Sequence, residues 1–132
     1  MLPCLILGDS LALGIGQYRP ECRTAAQVGI TSARYIQTLL IDQSATTALI
    51  SLGVNDGDEA PTLDNLRQVR RHVHAQKVFW LLPGIKPHAR AAIRQVAVEF
   101  DDFLVDTSYE AGPGDHLHPN RDGYKFLASM VP

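Results

Sequence analysis

This chain of 132 residues has few cysteines, little charge of either sign in excess, and no long apolar run. Net charge is −2, with neither a basic stripe nor an acidic tail, so nucleic acid is not an expected partner. No apolar stretch is long enough to span a bilayer. Met1-Leu2-Pro3-Cys4 has no basic region ahead of the first apolar run, and that run passes straight into Gly8-Asp9-Ser10. No signal peptide is read there, and a cytoplasmic location is expected. The two cysteines, Cys4 and Cys22, fall on the first two predicted strands. Reduced core thiols are therefore expected in preference to a disulfide. Internal repeats and low-complexity segments are also missing. One domain covering residues 1–132 accounts for the whole chain.

What the chain does have is an alternation of apolar strands with amphipathic helices. Leu2 to Leu7 is an apolar run of the kind found in a strand covered on both faces. It stops at Gly8-Asp9-Ser10, and a short helical segment bearing Leu11, Leu13 and Ile15 follows. Glu21 to Val28 reads as a weaker strand, holding Arg23 and Gln27, and ends before Gly29. Thr31 or Ser32 caps a helix with Tyr35, Ile36, Leu39 and Leu40 on one face. Thr46 to Leu52 is the third strand and breaks at Gly53. Leu63, Leu66, Val69 and Val73 mark the next helix, with Arg67, Arg70, Arg71 and His74 on its solvated side. Lys77 to Pro83 is the fourth strand, with Trp80 expected in the core. Ala89, Ala92, Ile93, Val96, Ala97 and Phe100 line a further helix, Phe103 to Asp106 is a short fifth strand, and a last helix runs from about Arg121 to Met130. Five such units make an α/β fold with one sheet covered on both faces. Crossovers of one hand then bring the turns after the strands to one sheet edge.

Along that edge lie the residues that serine-based acyl transfer requires: a nucleophile, a base, a group that orients the base, and donors for an oxyanion. Ser10 stands at the end of the central strand and the start of a helix, where a ligand-binding crevice forms in open α/β sheets. Its N–H joins the positive end of that helix. His118 is the candidate base, Asp115 the group that orients it, and Pro119 restrains the backbone beside it. Ser10, Gly29 and Asn55 are the candidate oxyanion donors. Each residue also has a plainer reading: Ser10 as a helix cap, Gly29 and Asn55 as turn residues. Asp115, His116 and His118 have the spacing of metal ligands as well, but no further cluster accompanies them, and no metal is expected. His72, His74 and His88 read as surface residues.

Taken together, these blocks resemble the SGNH hydrolases, also called GDSL esterases and lipases. Gly8-Asp9-Ser10-Leu11 is similar to the nucleophile block and Gly29 to the oxyanion glycine. Gly53-Val54-Asn55-Asp56 looks like the Gly-x-Asn-Asp block, and Asp115-His116-Leu117-His118-Pro119 like the Asp-x-x-His block. The resemblance runs from residue 4 to about 127. It implies a flavodoxin-like three-layer α/β/α sandwich whose five-stranded parallel sheet has order 2-1-3-4-5. It also implies a serine hydrolase that needs no cofactor, with a Ser10, His118, Asp115 triad. Asp9, Val54 and Asp56, which flank the nucleophile and Asn55, are expected to touch substrate. The Gly-x-Ser-x-Gly elbow of the larger α/β-hydrolases is absent, which excludes that family. Two features depart from the pattern: the loops between blocks are minimal, and Gly29 is followed by Ile30-Thr31-Ser32.

Short polar loops around the expected site leave no spare apolar segment for a long acyl chain. A small acyl group, acetyl above all, on a polar alcohol such as a carbohydrate is the expected substrate. A short-chain thioesterase or lysophospholipase-type esterase is the alternative enzyme. A carbohydrate-binding module that keeps the fold without turnover is the alternative outside catalysis.

Overall fold

The computed structural model describes residues 2–108 and 117–132. The chain runs β1 (Leu2–Gly8), α1 (Ser10–Gly16), β2 (Arg23–Ala26), α2 (Ser32–Thr38), β3 (Gln43–Ser51) and α3 (Thr62–Arg71). It continues through β4 (Val73–Leu82), α4 (Pro87–Phe100), β5 (Phe103–Asp106) and α5 (Arg121–Met130). The five strands form one parallel sheet of order β2-β1-β3-β4-β5, the expected architecture.

Alternation along the strands divides the core between two faces. Leu5 and Leu7, Ala48 and Ile50, and Trp80 and Leu82 face one side, where Tyr35, Leu66, Val69, Ile93 and Val96 of α2, α3 and α4 cover them. Ile6, Leu49, Leu81 and Val105 face the other, under Leu11, Ala12 and Ile15 of α1 and Leu127 and Ala128 of α5. Because the central strands are covered on both sides, almost every position in them is apolar, which is why their sequence runs are continuous. Trp80 is fully buried, as expected. Its indole N–H donates to Asp102 at 2.9 Å, and Arg70 donates to both oxygens of that carboxylate at 2.7 and 3.1 Å.

The strand ends differ from the periodicity reading. β3 and β4 both begin earlier, because Gln43, Ser44 and Ala45 pair with Val73, His74 and Ala75. Val73 thus opens a strand instead of closing the preceding helix face. β2 is shorter than its sequence run, since it lies at the edge and pairs with β1 alone over four positions.

The cysteines correct the sequence expectation. Leu5 lies beside Arg23 in the β1–β2 register, so Cys4 and Cys22, one position earlier, are neighbours with Cα atoms 4.7 Å apart. That spacing suits a disulfide, and they form one. The resemblance already implied that the first two strands are neighbours, but not the register that sets Cys4 opposite Cys22, so this pairing was not read from the sequence. The disulfide also removes the support that reduced thiols lent to a cytoplasmic location. Among the described residues, no helix is long and apolar enough to cross a membrane.

Candidate active site

Three turns follow three adjacent strands: Gly8-Asp9-Ser10 after β1, Gln27 to Ile30 after β2, and Gly53 to Asp56 after β3. Gly8 is the register partner of both Ala26 and Ser51. Parallel neighbours are spaced by about 4.8 Å, so the three turns share one small stretch of sheet edge. Gly8 takes φ +136°, and a Cβ there would fall 1.8 Å from the Ser51 carbonyl oxygen. Only glycine lets the turn that carries Ser10 approach β3 so closely.

Ser10 is the first residue of α1, and the cap before it is Asp9, not the serine. Freed from capping, the Ser10 hydroxyl meets His118, with Oγ and Nε2 2.6 Å apart although 108 residues separate them. Both side chains are partly buried. A serine nucleophile and a histidine base would need a contact of this kind. Asp115 and His116, the expected orienting carboxylate and the alternative ligand, lie outside the described residues.

On the oxyanion side, Asn55 is exposed and its Nδ2 donates one N–H to the Ile30 carbonyl at 3.1 Å. An amide nitrogen has two N–H groups, so a second donor remains. Gly29 takes φ +76°, and a Cβ there would meet nothing within 4 Å. That backbone therefore faces open space, next to the Ile30 carbonyl that steadies Asn55. The Ser10 N–H is one of the donors at the start of α1 that the helix leaves unused.

The three residues expected to touch substrate occupy other places. Val54 is 4% exposed and packs into the interior. Asp56 is 7% exposed, and its carboxylate accepts from the Ser32 N–H at 2.8 Å, the Ser32 hydroxyl at 2.5 Å and the Thr62 hydroxyl at 2.7 Å. It thereby ties the turn after β3 to the starts of α2 and α3, and so holds Asn55 beside Ile30. Asp9 has no exposed surface; its Oδ1 accepts from the Leu11 N–H at 3.1 Å and the Ser51 hydroxyl at 2.8 Å. Burial pushes its carboxyl up from 3.8 to about 6, against the downward pull of the Ser51 and Leu11 donors. Sequence reasoning missed Ser51, Ser32 and Thr62 as supports. The signal for Ser51 was a lone hydroxyl closing an apolar strand end.

Of the remaining histidines, His72 and His74 are at least partly solvated, while His88 holds the Ala60 carbonyl at 3.1 Å. Among the described residues, the metal-type cluster is Cys4, Glu21 and Cys22, around the disulfide and four residues before Gly8 on β1.

No family model and no curated protein matches the chain. Solved structures do. A member of the lipolytic protein G-D-S-L family from Veillonella parvula superposes with a TM-score of 0.62 at 13% identity, covering 98% of this chain and 95% of that one. A two-domain esterase active on acetylated mannans matches with a TM-score of 0.62 at 16% identity, over 97% of this chain and 46% of that one. The catalytic domain of peptidoglycan O-acetyltransferase A from Streptococcus pneumoniae matches with a TM-score of 0.57 at 16% identity, over 97% and 89%. The chain shares the fold of these enzymes.

Proposed function

We propose that this protein is a serine esterase that removes a small acyl group, acetyl in the leading case, from a polar substrate such as a carbohydrate. The observation that carries the proposal is the 2.6 Å contact of Ser10 Oγ with His118 Nε2 at the end of β1. His118 takes the hydroxyl proton as Ser10 attacks the ester carbonyl. Asn55 and the backbone N–H groups of Ser10 and Gly29 receive the negative oxygen of the tetrahedral intermediate. The alcohol leaves with the proton from His118, and water releases the acid from the acyl-enzyme by the same route in reverse. Asp115 orients the imidazole in this scheme, and no cofactor takes part. Likeness of fold to an esterase of acetylated mannans and to an O-acetyltransferase domain supports acetyl chemistry. The disulfide favours an oxidising compartment over the cytoplasm.

A second reading rests on a cleft of about 340 Å³ lined by Ala60, Pro61, Leu63, Ala91 and Ala92. Thr62, which also lines it, is bonded to Asp56 in the Asn55 turn. A longer acyl chain that reached this cleft would meet mostly apolar walls, with Asp64 and His88 among them, as a thioesterase or lysophospholipase-type esterase requires.

The test is labelling with a fluorophosphonate and turnover of nitrophenyl acetate. Wild type should label at Ser10 and turn over. Ser10→Ala should do neither while unfolding at a similar temperature, and His118→Ala should be about as damaged, because nucleophile and base act as a unit. A folded wild type that neither labels nor turns over would leave a binding module as the reading.

A further inference from the structure

Asp9 stands next to the nucleophile, yet it meets no solvent and cannot meet substrate. Its backbone N–H donates to the Ser51 carbonyl at 2.9 Å, and its Oδ1 accepts both the Ser51 hydroxyl and the Leu11 N–H. One residue thus clamps the end of β1 to the end of β3 and starts the helix whose first residue is Ser10. Its Oδ2 is buried with no hydrogen-bond partner among the described residues. A cap alone explains none of this burial, since Asn, Ser or Thr would cap the helix without carrying charge.

We propose that Asp9 is a positioning residue whose ionised carboxylate holds the first turn of α1, and with it the Ser10 hydroxyl and N–H, in the reactive arrangement. The proposal rests on the hydrolase reading above. Charge-assisted bonds are roughly twice as strong as neutral ones, so the Leu11 N–H and the Ser51 hydroxyl are held most firmly by the ionised form. Protonating Asp9 loosens both bonds at once, directly beneath Ser10.

The groups that bear on this titration are few. From β3 it is the Ser51 hydroxyl, and from α1 the N–H groups of Leu11 and Ala12, with the N–H of Asp9 itself; among the described residues no charged side chain joins them. His118 joins only across the Ser10 hydroxyl. Burial brings the Asp9 titration to about 6, so Asp9 adds a protonation of its own to that of the proposed base. The acid limb of the reaction should therefore follow two protonations rather than one.

The experiment is the rate of fluorophosphonate labelling at Ser10 as a function of pH, with thermal unfolding followed alongside. Wild type should show an acid limb steeper than a single protonation. Asp9→Asn keeps the cap and removes the charge. It should label about tenfold more slowly on the alkaline plateau and show a single-protonation limb. Ser51→Ala leaves Asp9 in place but takes away a donor that holds its carboxyl down, so its limb should move to higher pH. That variant decides the matter if Asp9→Asn does not fold. Asp9→Asn that only unfolds at lower temperature, with plateau and limb unchanged, makes the residue a plain helix cap and overturns the proposal. A Ser51→Ala limb that stays in place overturns it equally. Wild type that labels at no pH overturns the hydrolase reading itself, and this one with it.

Discussion

At the scale of single residues, the proposed chemistry and the stability of the fold are separable around Ser10. Asn55 has little packing and one N–H already committed to Ile30. Asn55→Ala should lower kcat by on the order of 10²–10³ and hardly move KM, because the charge it meets develops in the transition state. A change confined to KM would make it a substrate contact instead. Asp9 behaves oppositely, since its charge weakens the fold. Between the ordinary carboxyl value of 3.8 and the buried value of about 6, the native state holds a proton that the unfolded chain has lost. Stability through this group is therefore full at low pH and declines as pH rises through that window. Asp9→Asn lacks the group, so its unfolding free energy relative to wild type should climb over the same window, by roughly 3 kcal/mol at most. Denaturant titrations at pH values on either side of the window measure this, and a difference that stays flat would show that Asp9 does not carry the titration.

At the scale of elements, the site depends on how turns are tied to one another. Asp56 ties the turn after β3 to the starts of α2 and α3 through Ser32 and Thr62, and Asn65 donates to the Ser32 hydroxyl at 3.1 Å. At the other end of β1, Arg19 donates to the carbonyls of Ala128 and Val131, which anchors the end of α5 beside the disulfide. Cys4 and Cys22 are 18 positions apart, and closing a loop of that size is worth about 3 kcal/mol in the chain-entropy account. Replacing both by serine, or reducing the bond, should lower the unfolding free energy by about 2–4 kcal/mol. Turnover per folded molecule should hold, since β1 separates the disulfide from Ser10. Activity lost in step with the thiols released, before unfolding, would argue that strain is transmitted along β1.

At the scale of the whole molecule, two helical layers over one sheet put the site at an open edge, and substrate choice depends on what that edge offers. A buried methylene gains about 0.8 kcal/mol, so an enzyme with an apolar slot improves several-fold per carbon. With the acyl group left in water, kcat/KM for nitrophenyl esters should be highest at acetyl or propionyl and fall steadily to octanoyl. A maximum at octanoyl would place the chain in the cleft between Pro61 and Ala91 and favour the thioesterase or lysophospholipase reading. Filling that cleft by Ala91→Leu would then shorten the preferred chain.

By itself the sequence determined the alternation of strands and helices, because strands covered on both faces must be apolar throughout and helices must show one apolar stripe. It also singled out the turns that form the candidate site. Ser10 and Asn55 stand in short polar blocks directly after such runs, and His118 in the connection between β5 and α5, where no core requirement calls for them. Tertiary structure decided what depends on adjacency. The pairing of Cys4 with Cys22 follows from β2 lying beside β1, and the early starts of β3 and β4 follow from their pairing with each other. The inward turn of Asp9 and Asp56 follows from donors that lie 24 and 42 residues away in sequence, Ser32 for Asp56 and Ser51 for Asp9. A carboxylate beside a nucleophile looks the same in sequence whether it faces substrate or core. Only the position of its hydrogen-bond donors distinguishes the two, and that position exists only in the folded chain.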